Sequence, residues 1–296
     1  MIITRRILGP ALVGLLATLL PLLATPADGA SPGGASSTSA KRAGGFSCIT
    51  DVLIRTSSGR VVLRRLDNNR TVVQKTSAKA VSWRPVFSRL VALERWPGYE
   101  RNDVIVAATD GRVRIVRLTW RDGSSALSVK VLRVLGRGFP NRLITFDGRT
   151  LYWVGGDGQL RSSALNRGQN RLSKPRLVGH TVTDVTALTA QETNYGMRLF
   201  WAARDGSIHL YVPDQRRELT LSRPTGHPLR LLKSSFCALR NSYREVDYAG
   251  LVSVERTGRA TFRRAVETTD EEKVVLRGSL TAPVVVRGNW KQPALG

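Results

Sequence analysis

Two textures of apolar spacing alternate along the chain from about residue 50 onward. Consecutive apolar residues fill 52–54, 104–107, 151–154, 199–202 and, with Ser253 as an interruption, 251–254. Each run leads to a turn glycine: Gly59, Gly111, Gly158, Gly206 and Gly258. Beyond the glycine the pattern becomes alternation, as in Val61 and Leu63, Val113 and Ile115, Leu160 and Ser162, Ile208 and Leu210, or Ala260 and Phe262. Continuous apolar runs of this length suit strands buried on both faces, and period-2 alternation suits half-buried strands. Asp110-Gly111, Asp157-Gly158 and Asp205-Gly206 tolerate positive φ, which predicts two-residue hairpins between the runs.

Each hairpin precedes two further strand candidates. The outer ones fall at 72–73, 129–135, 176–178, 218–221 and 273–276, the inner ones at 90–93, 143–146, 185–188, 236–239 and 284–286. Helical periodicity is absent. A hairpin-plus-two unit recurring about every 50 residues predicts an all-β chain, a five-bladed β-propeller of four-stranded antiparallel blades over residues 46–296. The first hairpin has no inner strand before it. The strand at 284–286 is therefore expected to complete its blade and close the ring, removing exposed sheet edges. Cys48 and Cys237 flank that seam. Outside the cell they would form a disulfide; two buried free thiols are the other reading.

The strings DVLIRTSSGRVVLRR from Asp51 and RLFWAARDGSIHLYV from Arg198 resemble repeats of tachylectin-2-type five-bladed propellers and related bacterial lectin-like propellers. Val134-Leu135-Gly136-Arg137-Gly138-Phe139 is similar to the G-x-G-W element of those repeats, and Val81-Ser82-Trp83 matches it in part. The resemblance spans about residues 48–290. It implies shallow sites between blades for N-acetylated sugars, although later units lack an aromatic residue where Trp83 and Phe139 stand.

The N-terminus changes the picture of location. Arg5 and Arg6, an apolar stretch over 7–24 and a small-residue exit at 27–30 read as a signal peptide over residues 1–30. Residues 31–45, rich in Ser, Gly and Ala, read as a flexible linker. The expected product is secreted and monomeric, with no membrane span after processing. The formal net charge of +24 suits anionic cell-envelope polymers, and hairpin arginines (Arg60, Arg112, Arg114, Arg161, Arg259) would form a cationic belt. The same arginines could simply solvate outer strands. No zinc finger, basic helix or RNP-type aromatic pair is present, so no specific nucleic-acid partner is expected.

Candidate chemistry is sparse. His180, His209 and His227 fall in different repeats, which predicts no metal site and no cofactor. A glycoside hydrolase would need paired carboxylates on inner strands; Glu94, Asp147 and Asp184 are the candidates. The acidic run Glu267, Asp270, Glu271 and Glu272 reads as a solvated loop. Trp153 and Trp201, at equivalent repeat positions, read as core. Trp83, Trp96, Tyr99 and Phe139 are the expected ligand-facing aromatics, with Tyr195 in a comparable insertion. The reading that results is a secreted, non-enzymatic, lectin-like carbohydrate-binding module. Its alternatives are a hydrolase acting through channel carboxylates and a charge-driven binder of anionic polymers.

Overall fold

The computed structural model describes residues 46–84, 102–108, 110–139, 143–166, 171–193, 196–239, 245–269, 275–288 and 290. They lie in the compact unit Ala43–Gly296. The signal-peptide and linker segments, Glu94, Trp96, Tyr99, Tyr195 and residues 270–272 fall outside the described residues.

Antiparallel groups of strands follow one another along the chain. The first is β1 (Phe46–Arg55), β2 (Arg60–Asp67) and β3 (Arg70–Ala80); the second is β4 (Trp83–Arg84), β5 (Asp103–Ala108), β6 (Val113–Thr119) and β7 (Ala126–Gly136). The third contains β8 (Ile144–Phe146), β9 (Thr150–Val154), β10 (Gln159–Asn166), β11 (Arg171–Leu172) and β12 (Arg176–Thr181). The fourth is β13 (Val185–Thr193), β14 (Gly196–Ala203), β15 (Ile208–Val212) and β16 (Arg217–Thr220). The last is β17 (Leu229–Leu239), β18 (Glu245–Glu255), β19 (Ala260–Thr269), β20 (Val275–Leu280) and β21 (Val284–Val285).

The continuous apolar runs are buried on both faces because each serves two cores. Leu53 packs with Val104 and Val106. On the other face of β5, Ile105 and Ala107 meet Leu151 and Trp153. Tyr152 and Val154 then meet Leu199 and Trp201, and Phe200 and Ala202 meet Leu251. Finally Val252 and Val254 return to Val52 and Ile54. Side chains of successive residues point to opposite faces of a strand, so one run of four can join two neighbours. The sharing is cyclic, and the small antiparallel sheets form a β-propeller-like ring. Inner strands are tied as well: the Ala190 N–H donates to Thr145 Oγ1 and the Ser234 N–H to Thr189 Oγ1, each at 3.0 Å and buried.

The hairpins differ from the expected two-residue loops. Thr56 N–H donates to Arg60 O and Gly59 N–H to Thr56 O, and the same pair of bonds recurs at Gly111, Gly158, Gly206 and Gly258. Three residues are therefore enclosed. The closing glycines have φ between +71° and +90°, and no described residue beside them in these turns has positive φ. This is a type I turn followed by a left-handed glycine, which restores the strand twist that a bare type I turn would splay. An aspartate before the glycine fits either loop, because its carboxylate caps the turn: Asp110, Asp157 and Asp205 each accept the N–H two residues on.

Ring closure also differs. Val284–Val285 pairs with Phe262 and Thr261 on β19, not with the first hairpin. The seam is made instead by β1, whose ten residues outrun its partner β2: Phe46, Ser47 and Cys48 pair with Leu239, Ala238 and Cys237 of β17. The Cys48–Cys237 disulfide lies within that pairing. Through this seam, and through a short parallel pairing of Thr76 and Ser77 with Ala126 and Leu127, the first, second and last groups share one twelve-stranded hydrogen-bonded network. The third and fourth groups are separate sheets of five and four strands.

Candidate functional site

Among the three Asp-Gly hairpins, the second, third and fourth, one differs from the other two. In the second and third hairpins the turn aspartate pairs with an arginine four residues on, Asp110 with Arg114 and Asp157 with Arg161, both at 2.6 Å. The Arg114 hydrogen bond holds the Asp110 carboxyl at about 2, and Arg161 holds Asp157 well below its ordinary range. In the fourth hairpin that arginine is His209, and the residue after the glycine is Ser207.

The exchange replaces an ion pair with a chain of hydrogen-bonding side chains. Asp205 Oδ1 accepts the Ser207 N–H at 2.9 Å and lies 2.6 Å from Ser207 Oγ. Ser207 Oγ lies 2.9 Å from His209 Nε2. His209 Nδ1 lies 3.0 Å from Glu218 Oε1. Glu218 is brought there by the β15–β16 register, which places Thr220 opposite His209 and Glu218 opposite Tyr211. Its second oxygen lies 3.2 Å from His180 Nε2, on β12 of the neighbouring sheet.

Aromatic faces hold both imidazoles. His180 stacks on Tyr211 with centroids 4.1 Å apart and 10° between planes, and His209 lies parallel to Trp201 at 5.4 Å. Burial pushes His180 below its ordinary value against the opposing pull of Glu218, so its ring is neutral at pH 7.

Asp205, Ser207, His209, Glu218 and Trp201 line a cleft of about 720 Å³, with His180 and Tyr211 outside its lining. One wall is residues 181–184, which dock when the Val182 N–H donates to Gly158 O at 2.9 Å. They bring Thr181, Thr183 and Asp184, the last in a left-handed conformation with φ 53°. The other wall brings Trp201, Arg204, Asp205, Ser207, His209, Glu218 and Thr220.

The aromatics expected to face a ligand stand elsewhere. Trp83 is 4% exposed and packs with Val104 and Val106. Phe139 is half-buried, edge-on to Trp153 at 5.0 Å, against a different core cluster. Neither lines the cleft, and Trp96 and Tyr99 lie outside the described residues. Trp153 is core, as expected; Trp201 is core and also lines the cleft. Of the expected carboxylates, Asp184 lines the cleft and Asp147 does not. Several hairpin arginines are internally partnered, Arg60 by Ser77 O and Arg112, Arg114 and Arg161 by aspartates. The histidines are the reverse case: expected to be scattered, His180 and His209 converge on Glu218. Aligning the hairpins position by position would have exposed the signal, a histidine where two sister hairpins carry arginine.

Asp147 turns out to cap a turn, its Oδ1 accepting the N–H groups of Arg149 and Thr150 at 2.6 Å. Burial nevertheless raises its carboxyl from 3.8 to about 6. An acid raised on folding opposes stability as pH rises through that window, and the cost is fully present at pH 7. Asp147→Asn keeps an oxygen for the turn, so it should stabilise by about 1–2 kcal/mol at pH 7 and by nothing below about pH 4. Melting curves at both pH values check this, and an unchanged or lower midpoint at pH 7 contradicts it.

No known family profile and no curated protein matches the chain. Among solved structures it is similar to Kluyveromyces lactis Hsv2, at 12% identity with a TM-score of 0.36, over 78% of this chain and 84% of that one. It is similar also to a luciferin-regenerating enzyme, at 9% identity with a TM-score of 0.37, over 70% of this chain and 88% of the other. Likenesses of this size bear on neither family nor activity.

Proposed function

We propose that the chain is a secreted five-bladed propeller of lectin-like character, and that the cleft beside His209 takes a polyhydroxylated carbohydrate. The observation that carries this reading is the mixture in the cleft: carboxylates, hydroxyls, an imidazole and a guanidinium converge beside the Trp201–His209 stack. Sugar hydroxyls donate and accept at once, and carboxylates are strong acceptors for them. The position between consecutive sheets is also where the resemblance to tachylectin-type repeats implies sugar sites. Charge-driven binding of anionic polymers is less favoured, because several hairpin arginines already have partners within the fold.

The test is a glycan array followed by titration of the best sugar into the wild type and Glu218→Gln. A hydrogen bond to a charged group is worth about 1.5–3 kcal/mol, so Glu218→Gln should weaken binding roughly 10- to 100-fold. Binding should persist at about 0.5 M salt, where surface electrostatics are largely screened. Binding that vanishes in salt, or that ignores Glu218→Gln, rules the reading out.

A further inference from the structure

We propose that the same cleft hydrolyses carboxylic esters, with Ser207 as nucleophile, His209 as general base and Glu218 as the residue that orients the base. The proposal goes beyond sugar binding and does not depend on it.

The geometry is that of an activated serine. Oγ lies 2.9 Å from the base nitrogen, and the opposite ring nitrogen lies 3.0 Å from a carboxylate oxygen. A nucleophile within hydrogen-bond reach of a base, itself held by a third group, is the recurring signature of acyl transfer, and it is recognised by geometry rather than by chain order. Glu218 sets the tautomer: a carboxylate at 3.0 Å requires the hydrogen on Nδ1, which leaves the Nε2 lone pair facing Ser207. His180 Nε2 lies 3.2 Å from the other carboxylate oxygen. The Trp201 face fixes the plane of the His209 ring.

The two other Asp-Gly hairpins provide an internal control. There the same turn aspartate is paired with arginine, Asp110 with Arg114 and Asp157 with Arg161. A turn that needed only capping had a solution already in use. The fourth hairpin abandons it, and the cleft lies at that place.

Each step balances. Ser207 Oγ attacks the ester carbonyl carbon as its proton passes to His209 Nε2, giving a tetrahedral oxyanion and an imidazolium flanked by Glu218 and Asp205. Collapse expels the alcohol, which takes the proton from Nε2, and leaves an acyl-serine. Water then attacks the acyl carbon, giving its proton to Nε2. The second collapse returns that proton to Ser207 and releases the carboxylic acid. Arg204, exposed at the cleft and 3.7 Å from Asp184, is the guanidinium in the lining that would have to turn toward the oxyanion to offset its charge. Before attack, Asp205 competes for the serine hydrogen at 2.6 Å. Rotation about the Cβ–Oγ bond redirects that hydrogen to His209.

Two probes test this, a fluorophosphonate, which traps activated serines, and p-nitrophenyl acetate. Mass mapping should place the phosphonate on Ser207, and Ser207→Ala should abolish it. His209→Gln should slow acetate hydrolysis at least about 100-fold. Glu218→Gln should slow it about as much and change the pH–rate profile, a response that a purely structural contact would not produce. The Cys48–Cys237 disulfide and the melting midpoint serve as checks that each variant is folded. No labelling of folded wild type, labelling at another serine, or full esterase activity in folded Ser207→Ala overturns the proposal. Sugar binding that survives without labelling leaves the preceding reading intact, and labelling without sugar binding does the reverse.

Discussion

Arg198→Met should destabilise the ring by about 3–5 kcal/mol, the cost of leaving one member of a buried ion pair behind. The Arg198 side chain is 0% exposed and that of Glu267 is 8% exposed, with Nε 2.8 Å from Oε2 and 3.0 Å from Oε1. In the first two hairpins the comparable pairs lie within one hairpin, Asp51 with Arg65 at 2.7 Å and Asp103 with Arg117 at 2.8 Å. Here the partner comes from β19, so the pair fastens one sheet to the next. Truncating the arginine removes the charge partner from a Glu267 carboxylate that is 8% exposed between two sheets. Replacing both partners, as in Arg198→Met with Glu267→Leu, removes both charges and should recover most of the loss, because a well-packed apolar pair often matches a buried ion pair in stability. Urea denaturation of the two variants measures the difference. A loss below about 1 kcal/mol for Arg198→Met, or a double variant no better than the single one, would show that the pair does not hold the sheets together.

Removing the disulfide should have an effect of similar size. Cys48 and Cys237 are 189 residues apart in sequence. In the chain-entropy account a loop of that length stabilises the fold by about 5 kcal/mol, by restricting the unfolded ensemble. Cys48→Ser with Cys237→Ser should lower the denaturant midpoint accordingly, while the register of Phe46 and Ser47 on β17 keeps the seam paired once folded. Reduction of the wild type by a dithiol should give the same midpoint as the double variant. Equal midpoints for oxidised wild type and double variant would contradict the entropic role.

Much of the scaffold was legible in the apolar pattern. Four consecutive apolar positions signal a strand with two buried faces, and in this ring every such strand divides its side chains between two cores. Loop length was not legible, since Asp-Gly caps both kinds of hairpin and the choice depends on strand twist. The seam was not legible either, because 46–48 and 284–286 are both short segments beside apolar runs. What decides between them is that β1 extends beyond β2, a matter of length rather than composition. The cleft was hidden for a related reason. His180 and Glu218 lie on outer strands, which carry weak repeat signatures, and only the β15–β16 register and the docking of 181–184 bring them to His209.

The two-faced burial of β1 also has a kinetic consequence. Val52 and Ile54 are synthesised about 200 residues before their packing partners Val252, Val254 and Phe262. No hairpin can satisfy its own core as it leaves the ribosome, and a contact order this high places folding on the slow side for a domain of its size. The ring should therefore assemble after synthesis as one cooperative unit. A chain cut short before β18 would present an uncovered apolar strand to its neighbours and aggregate rather than fold in part.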